Sequence, residues 1–173
     1  VYIVDYEGNK PGILKVNGNR GDNVRHTFDE PNYKWNSAYD LFWKDKHTHI
    51  DVYGYYPFAN PESIEDYQFE VQKDQSKATE NGEMGGYEAS DFLWGKVSDV
   101  APTTSVIRLP MAHRMSNARV TLIQGSGFAE GEWANLEKIV LTANVARKAS
   151  INLSTGEIKT AGAVENTMTI PSR

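Results

Sequence analysis

His47, His49 and Asp51 fall at i, i+2 and i+4, so on an extended strand their side chains share one face. His-x-His is a metal-ligand spacing, and a carboxylate two residues on adds a third donor of the kind a metal-dependent hydrolase uses. Such centres need a further histidine close behind, and positions 52–58 supply none. His26 and His113 would contribute only if the fold returned them to the same place. The plainer reading is a row of polar residues on the outer face of a strand. No metal is assigned.

Other short patterns have ordinary meanings as well as functional ones. Arg20-Gly21-Asp22 spells a tripeptide bound by some adhesion receptors, but the same letters describe a plain turn. Gly125-Ser126-Gly127 lacks the spacing of a nucleophile elbow. Gly85-Gly86 has neither the lysine nor the helix start of a phosphate loop. Glu80, Glu83 and Glu88 share a polar stretch with nothing to split their acidities, so a glycosidase pair is unsupported. Trp35, Trp43, Trp94 and Trp133 offer a sugar-stacking platform on one reading and inter-sheet packing on the other. The platform reading requires at least two coplanar exposed rings. No catalytic, cofactor-binding or metal-binding residue is assigned, and no cofactor is expected.

The element that must position most of these residues is the stretch 47–58. Read with period two, Ile50, Val52, Gly54, Tyr56 and Phe58 lie on one face, and His49, Asp51, Tyr53, Tyr55 and Pro57 on the other. Its β-branched and aromatic residues predict a long strand closed by Pro57. The first face is apolar and the second aromatic, so both are expected to be covered, which places the strand inside a sheet.

The remaining chain reads as short strands between turns. Val1–Tyr6, Ile13–Val16, Val24–Phe28 and Tyr33–Trp35 are candidates, with turns at 7–12 and 17–23. Tyr39–Trp43 is a further aromatic run, and 59–66 is expected to be a loop with one helical turn. Tyr67, Phe69 and Val71 alternate inward; 72–90 is polar and glycine-rich; Asp91–Val97 is apolar enough to dock on the core. Pro102 and Pro110 bracket 105–109. Ala118, Val120 and Leu122 predict a strand, as do Ile139, Leu141 and Ala143. Ala149–Leu153 leads through 154–157 into Ile158–Thr160, a hairpin pattern, and Phe128–Leu136 is a candidate short helix. About ten short strands with frequent turns and no sustained helical period predict an all-β sandwich with long loops and at most short helical turns. No repeat or linker divides residues 1–173, which are expected to form a single domain.

Bulk properties bound the function. At 173 residues the chain is long enough to bury a core without staples, and it has no cysteine to form one. No apolar run reaches transmembrane length. A net charge of −5 with no lysine or arginine cluster argues against a nucleic-acid partner. Val1-Tyr2-Ile3-Val4 opens directly as a strand, as expected of a mature or trimmed piece.

Four segments, in order, resemble the fimbrillin family of Bacteroidales surface lipoproteins. They are Asp51-Val52-Tyr53-Gly54-Tyr55-Tyr56-Pro57-Phe58; Ser90-Asp91-Phe92-Leu93-Trp94-Gly95; Arg108-Leu109-Pro110-Met111-Ala112-His113-Arg114-Met115-Ser116 running into a Val-x-Leu stretch; and Ile151-Asn152-Leu153-Ser154-Thr155-Gly156. The resemblance implies a transthyretin-like Greek-key sandwich and a non-enzymatic structural subunit of cell-surface fimbriae, in shaft, tip or anchor. It also implies export as an outer-membrane lipoprotein, with the lipid anchor, the lead-in strand and a C-terminal domain lying outside this chain. Its partners would be other fimbrial subunits, joined by strand exchange after an arginine-specific protease removes a strand, and a host surface protein or glycan. An ending at Arg173 fits such a cut. The alternative is a surface carbohydrate-binding lipoprotein using exposed aromatics.

Overall fold

The computed structural model of the chain describes residues 1–7, 10–13, 15–16, 19–129, 131 and 136–171, with side chains described for 1–3, 21–129, 131 and 136–171. The strands are β1 (Tyr2–Glu7), β2 (Lys10–Ile13), β3 (Lys15–Val16), β4 (Asn19–Arg20), β5 (His26–Asp29), β6 (Lys34–Ser37), β7 (Ile50–Tyr56), β8 (Tyr67–Glu70), β9 (Leu93–Val100), β10 (Ala112–His113), β11 (Ile139–Val145), β12 (Lys148–Asn152), β13 (Glu157–Thr160) and β14 (Val164–Ile170). Helical structure among the described residues is confined to two 3-10 turns, Glu30–Asn32 and Glu88–Ser90.

A five-stranded sheet runs in the order β10-β9-β7-β1-β2, and a three-stranded sheet in the order β13-β12-β8. Strands β11–β14, β3–β4 and β5–β6 pair two by two, and all these ladders are antiparallel. The expected central strand is β7, with β9 on one side and β1 on the other. Strand β1 is held on its second side twice. Its first residues bond to 21–24, through Ile3 N–H to Gly21 O at 2.6 Å and Val24 N–H to Val1 O at 2.7 Å, and its later residues pair with β2.

The two larger sheets face each other across one apolar cluster, which makes the fold a sandwich. Tyr2, Tyr53, Tyr55 and Phe92 come from the first sheet and its lead-in; Phe69, Ala149, Ile151 and Leu153 come from the second. The aromatic face of β7 therefore supplies the main core. Its other face carries Ile50 and Val52 in a smaller cluster with Val1, Ile3, Trp43, Val97, Val100 and Ile107. Burial pushes the hydroxyls of Tyr53 and Tyr55 up to about 12, so both stay protonated well above neutral pH. Tyr55 uses its proton toward Ala59 O and Asn23 Oδ1, both at 2.8 Å.

Several sequence expectations change. Ala118, Val120 and Leu122 form no strand; residues 116–129 are all exposed, because a period-two pattern becomes a strand only where an edge accepts it. No helical turn forms within 59–66, and neither Phe128 nor Ala129 is helical; the rest of the candidate helix at 128–136 lies largely outside the described residues. The turn residues Gly8-Asn9 and Asn17-Gly18, and Leu14 of the second run, also lie outside them. Segment 72–90 carries no strand but is tied down. Asn81 and Gly82, both at positive φ, make the two-residue turn between mutually bonded Glu80 and Glu83. Strand β14, paired with β11 along its whole length, is additional to the expected strands.

Candidate functional site

The residues that suggested metal chemistry hold a β-bulge instead. Opposite β7 the register slips between Ile50↔Val100 and Val52↔Val97, so β9 carries one extra residue there. Asp99 takes up the slack at φ 58°, a conformation that aspartate tolerates better than most residues. The displaced Asp99 N–H donates to Asp51 Oδ1 at 3.0 Å, and Lys96 Nζ lies 2.9 Å from Asp51 Oδ2. His49 Nδ1 sits 2.7 Å from Asp99 Oδ1. His47 precedes the strand, and its N–H, with that of Thr48, is capped by Asp45 Oδ1. His49 and Asp51 are thus both engaged with the bulge residue Asp99, and His47 lies before the strand. His26 bonds Val24 O and His113 bonds Asp91, so neither joins them, and no metal-binding cluster occurs among the described residues.

Burial raises the Asp51 carboxyl, but the hydrogen bonds from Lys96, the Asp99 N–H and Ser98, with the Lys96 charge, outweigh it and hold the group below the usual carboxylate range. Asp45 is held at about 2, chiefly by the Thr48 hydroxyl and then by the His47 and Thr48 amides. A carboxyl depressed on folding stabilises above its unfolded pKa of about 3.9, and that stabilisation is lost as pH falls through that value toward the folded one. Denaturant midpoints should therefore be level from pH 7 to about 5 and fall steeply below about 4. Asp51→Asn should cost about 1–3 kcal/mol at pH 7 and flatten part of that slope. An unchanged slope in the variant would dismiss the role given to Asp51.

The other candidates are likewise placed. Gly21 of Arg20-Gly21-Asp22 is buried; an added Cβ would fall 2.8 Å from Ile3 Cβ. The tripeptide is thus part of a β-pairing, not a free loop tip, while the Arg20 side chain lies outside the described residues. Trp94 is packed into the core and donates to Leu153 O at 2.7 Å; Trp43 donates to Thr103 O at 2.9 Å. Trp133 lies outside the described residues. Trp35, 62% exposed on the β5–β6 hairpin, contacts Phe28 across the strand pair, and Phe28 contacts Tyr33. These rings are inclined by 49° and 80°, so they form no flat platform. Glu80 and Glu83 border an open polar cavity of about 800 Å³ with Lys73, Asp74 and Lys77, where both charge signs are interleaved. Gly125-Ser126-Gly127 lies in the exposed connection after β10.

What the fold does bring together is the four segments that carried the family resemblance. Gly54 and Gly95 are directly opposed on β7 and β9. Leu109 and Pro110 cross that pair so closely that a Cβ at 54 would fall 2.8 Å from Leu109 Cδ2, and one at 95 would meet the Pro110 carbonyl oxygen. On the opposite side of β9, Trp94 receives the β12–β13 turn. A Cβ on Gly156 would lie 2.6 Å from the indole. Arg114 closes the joint, with its guanidinium 5.8 Å from the Trp94 ring centroid and Nη2 donating to Gly156 O at 2.9 Å. Sequence reading found these segments but not their common purpose, a joint between two sheets. The paired glycines in two sheet-forming stretches were the available signal.

A family model described as Fimbrillin-like matches residues 4–173. No curated protein and no solved structure gives a significant match.

Proposed function

Because this chain belongs to the fimbrillin-like family, a family of structural subunits, we propose that it is a non-enzymatic subunit of cell-surface fimbriae, assembling by strand addition and supporting adhesion. The observation that carries this reading is the family match across nearly the whole sandwich. Physics supports the assembly mode. A sheet edge presents unpaired N–H and C=O groups, and a strand added there satisfies them without a side-chain signature. The reading places the protein at the outer membrane surface as an exported lipoprotein, with other fimbrial subunits as partners. No helix of the described residues is long and apolar enough to cross a membrane.

The test is negative-stain microscopy and sizing of the full-length precursor before and after arginine-specific proteolysis. Filaments that appear only after cleavage are expected. A protein that stays monomeric under both conditions would remove the polymerising role.

One observation favours a second reading, glycan binding: the exposed Phe28, Tyr33 and Trp35 on a hairpin that pairs only with itself among the described residues. Their inclination leaves room for stacking on single rings rather than along a platform. On a glycan array, Trp35→Ala should abolish any signal given by the parent protein. A signal that survives the substitution would dismiss this hairpin as the site.

A further inference from the structure

Segment 72–90 is held more firmly than a connection needs. The Gln72 N–H bonds Ser90 Oγ at 2.9 Å and the Ser90 hydroxyl donates to Gly86 O at 2.6 Å, which closes the segment on itself. Inside it, the Gly86 N–H bonds Lys77 O at 3.1 Å and the Gly85 N–H bonds Thr79 Oγ1 at 2.9 Å. Glu80 and Glu83 exchange backbone bonds across the Asn81-Gly82 turn. Thr169 of β14 ties the segment down from outside, through Lys73 O and the Gln75 N–H, both at 2.8 Å. Yet the segment adds no residue to either apolar cluster. A long loop that is ordered by polar bonds and does not serve the core has the build of a binding loop.

These bonds frame the open polar cavity of about 800 Å³, a volume in the range of small-ligand sites. Lys73 and Lys77 line it together with Glu80 and Glu83, and none of the four makes an ion pair or a side-chain hydrogen bond among the described residues. Opposite charges thus share one cavity without closing on each other. Glu80 and Glu83 are directly opposed, so their carboxylates lie on one face, an arrangement that costs stability. Asp74 differs, because its Oδ1 is occupied by the Ser76 amide at 3.1 Å and the Ser76 hydroxyl at 2.5 Å. Met84 adds an apolar wall, positioned by the Tyr56 hydroxyl, which donates to its Sδ at 3.2 Å.

We propose that this cavity binds a short neutral oligosaccharide. The charge pattern selects the class. A polyanion would be repelled by the two glutamates and a polycation by the two lysines. A sugar hydroxyl both donates and accepts, so an uncharged chain can donate to Glu80 and Glu83 and accept from Lys73 and Lys77. The Met84 thioether gives the C–H face of a sugar ring a surface to lie on. The cavity and the β5–β6 hairpin are rival glycan sites, since no residue is common to them. A part for this binding in adhesion rests on the fimbrial-subunit reading, whereas the binding itself does not.

The test is an array of neutral, sialylated and sulfated oligosaccharides probed with the full-length protein, followed by titration of the strongest neutral ligand. Neutral chains are expected to bind, with an affinity that stays within about twofold between about 0.05 and 0.5 M NaCl, because no ligand charge is there to be screened. The paired substitution Glu80→Gln and Glu83→Gln should weaken binding roughly tenfold or more, and Lys77→Ala should act in the same direction. The paired variant should melt no lower than the parent, since it removes a like-charge pair. Trp35→Ala decides between the rival sites and should leave binding intact. Absence of a neutral ligand, preference for sialylated or sulfated chains, loss of binding in Trp35→Ala, or full binding by the paired variant would each overturn the proposal. A lowered melting temperature of the paired variant would make the glutamates structural and also overturn it. Filament formation after arginine-specific cleavage should be the same in the paired variant and the parent. Glycan binding and polymerisation therefore report separately on this site and on the fimbrial reading.

Discussion

Replacing Phe92 by alanine is expected to cost about 3–5 kcal/mol, the range for removing a buried aromatic ring from a packed core. Domains of this kind hold only about 5–15 kcal/mol in total, so the variant should melt far below the parent or fail to accumulate. The size of the effect follows from where the ring sits. Phe92 has no exposed surface, and its centroid lies 5.2 Å from Phe69, 6.2 Å from Tyr67 and 6.3 Å from Tyr55. Tyr55 belongs to the five-stranded sheet, and Tyr67 and Phe69 to the facing one, so the ring fills the space between layers. A cavity there cannot collapse without moving both sheets. Phe58 is the control. It is 38% exposed and carries the Arg25 guanidinium 5.6 Å from its centroid, so Phe58→Ala should cost no more than about 1 kcal/mol. Urea denaturation of the two variants checks the contrast. A loss below about 1 kcal/mol for Phe92→Ala would mean that the layers are not joined through this residue.

How much of this was legible depends on where each determinant lies. The centrality of 50–56 could be read because its own residues declare it: apolar on one face, aromatic on the other, and therefore covered on both. The inward alternation of Tyr67, Phe69 and Val71, and the hairpin through 154–157, were legible for the same local reason. What failed depended on a partner strand. His49 and Asp51 looked like ligands because their true partner is an extra residue in β9, some fifty positions away, that no local pattern reveals. Strand β14 escaped because Asn166 interrupts its apolar face; that amide is spent on Val145 O and Val164 O, at 2.9 and 3.1 Å, within the ladder. Residues 118–122 failed in the opposite sense, with a sound pattern that enters no ladder among the described residues. Alternation states which faces a segment has. It does not state whether a neighbour exists.

The second large effect is expected at Gly156, where the β12–β13 turn meets Trp94. Two independent costs coincide there. The residue sits at φ +74°, a region that charges an L-residue roughly 1–2 kcal/mol. A Cβ would also lie 2.6 to 2.8 Å from three atoms of the indole, which must then shift. The ring has little freedom to do so. Its Nε1–H is committed to Leu153 O, and Arg114 covers it while donating to Gly156 O. Forcing a methyl into such a contact costs roughly 1–3 kcal/mol more, so Gly156→Ala should lose about 2–5 kcal/mol. Gly162 separates the two costs. It has φ +94° and nothing within 4 Å of an added Cβ, so Gly162→Ala carries the backbone cost alone. The difference between the two alanine variants in urea then measures the ring contact. A double variant adding Trp94→Leu to Gly156→Ala completes the argument: with the ring gone, the methyl has space, and the second substitution should cost less than it does alone. If Gly156→Ala costs no more than Gly162→Ala, the indole gives way freely, and the joint linking the four family segments is looser than its contacts indicate.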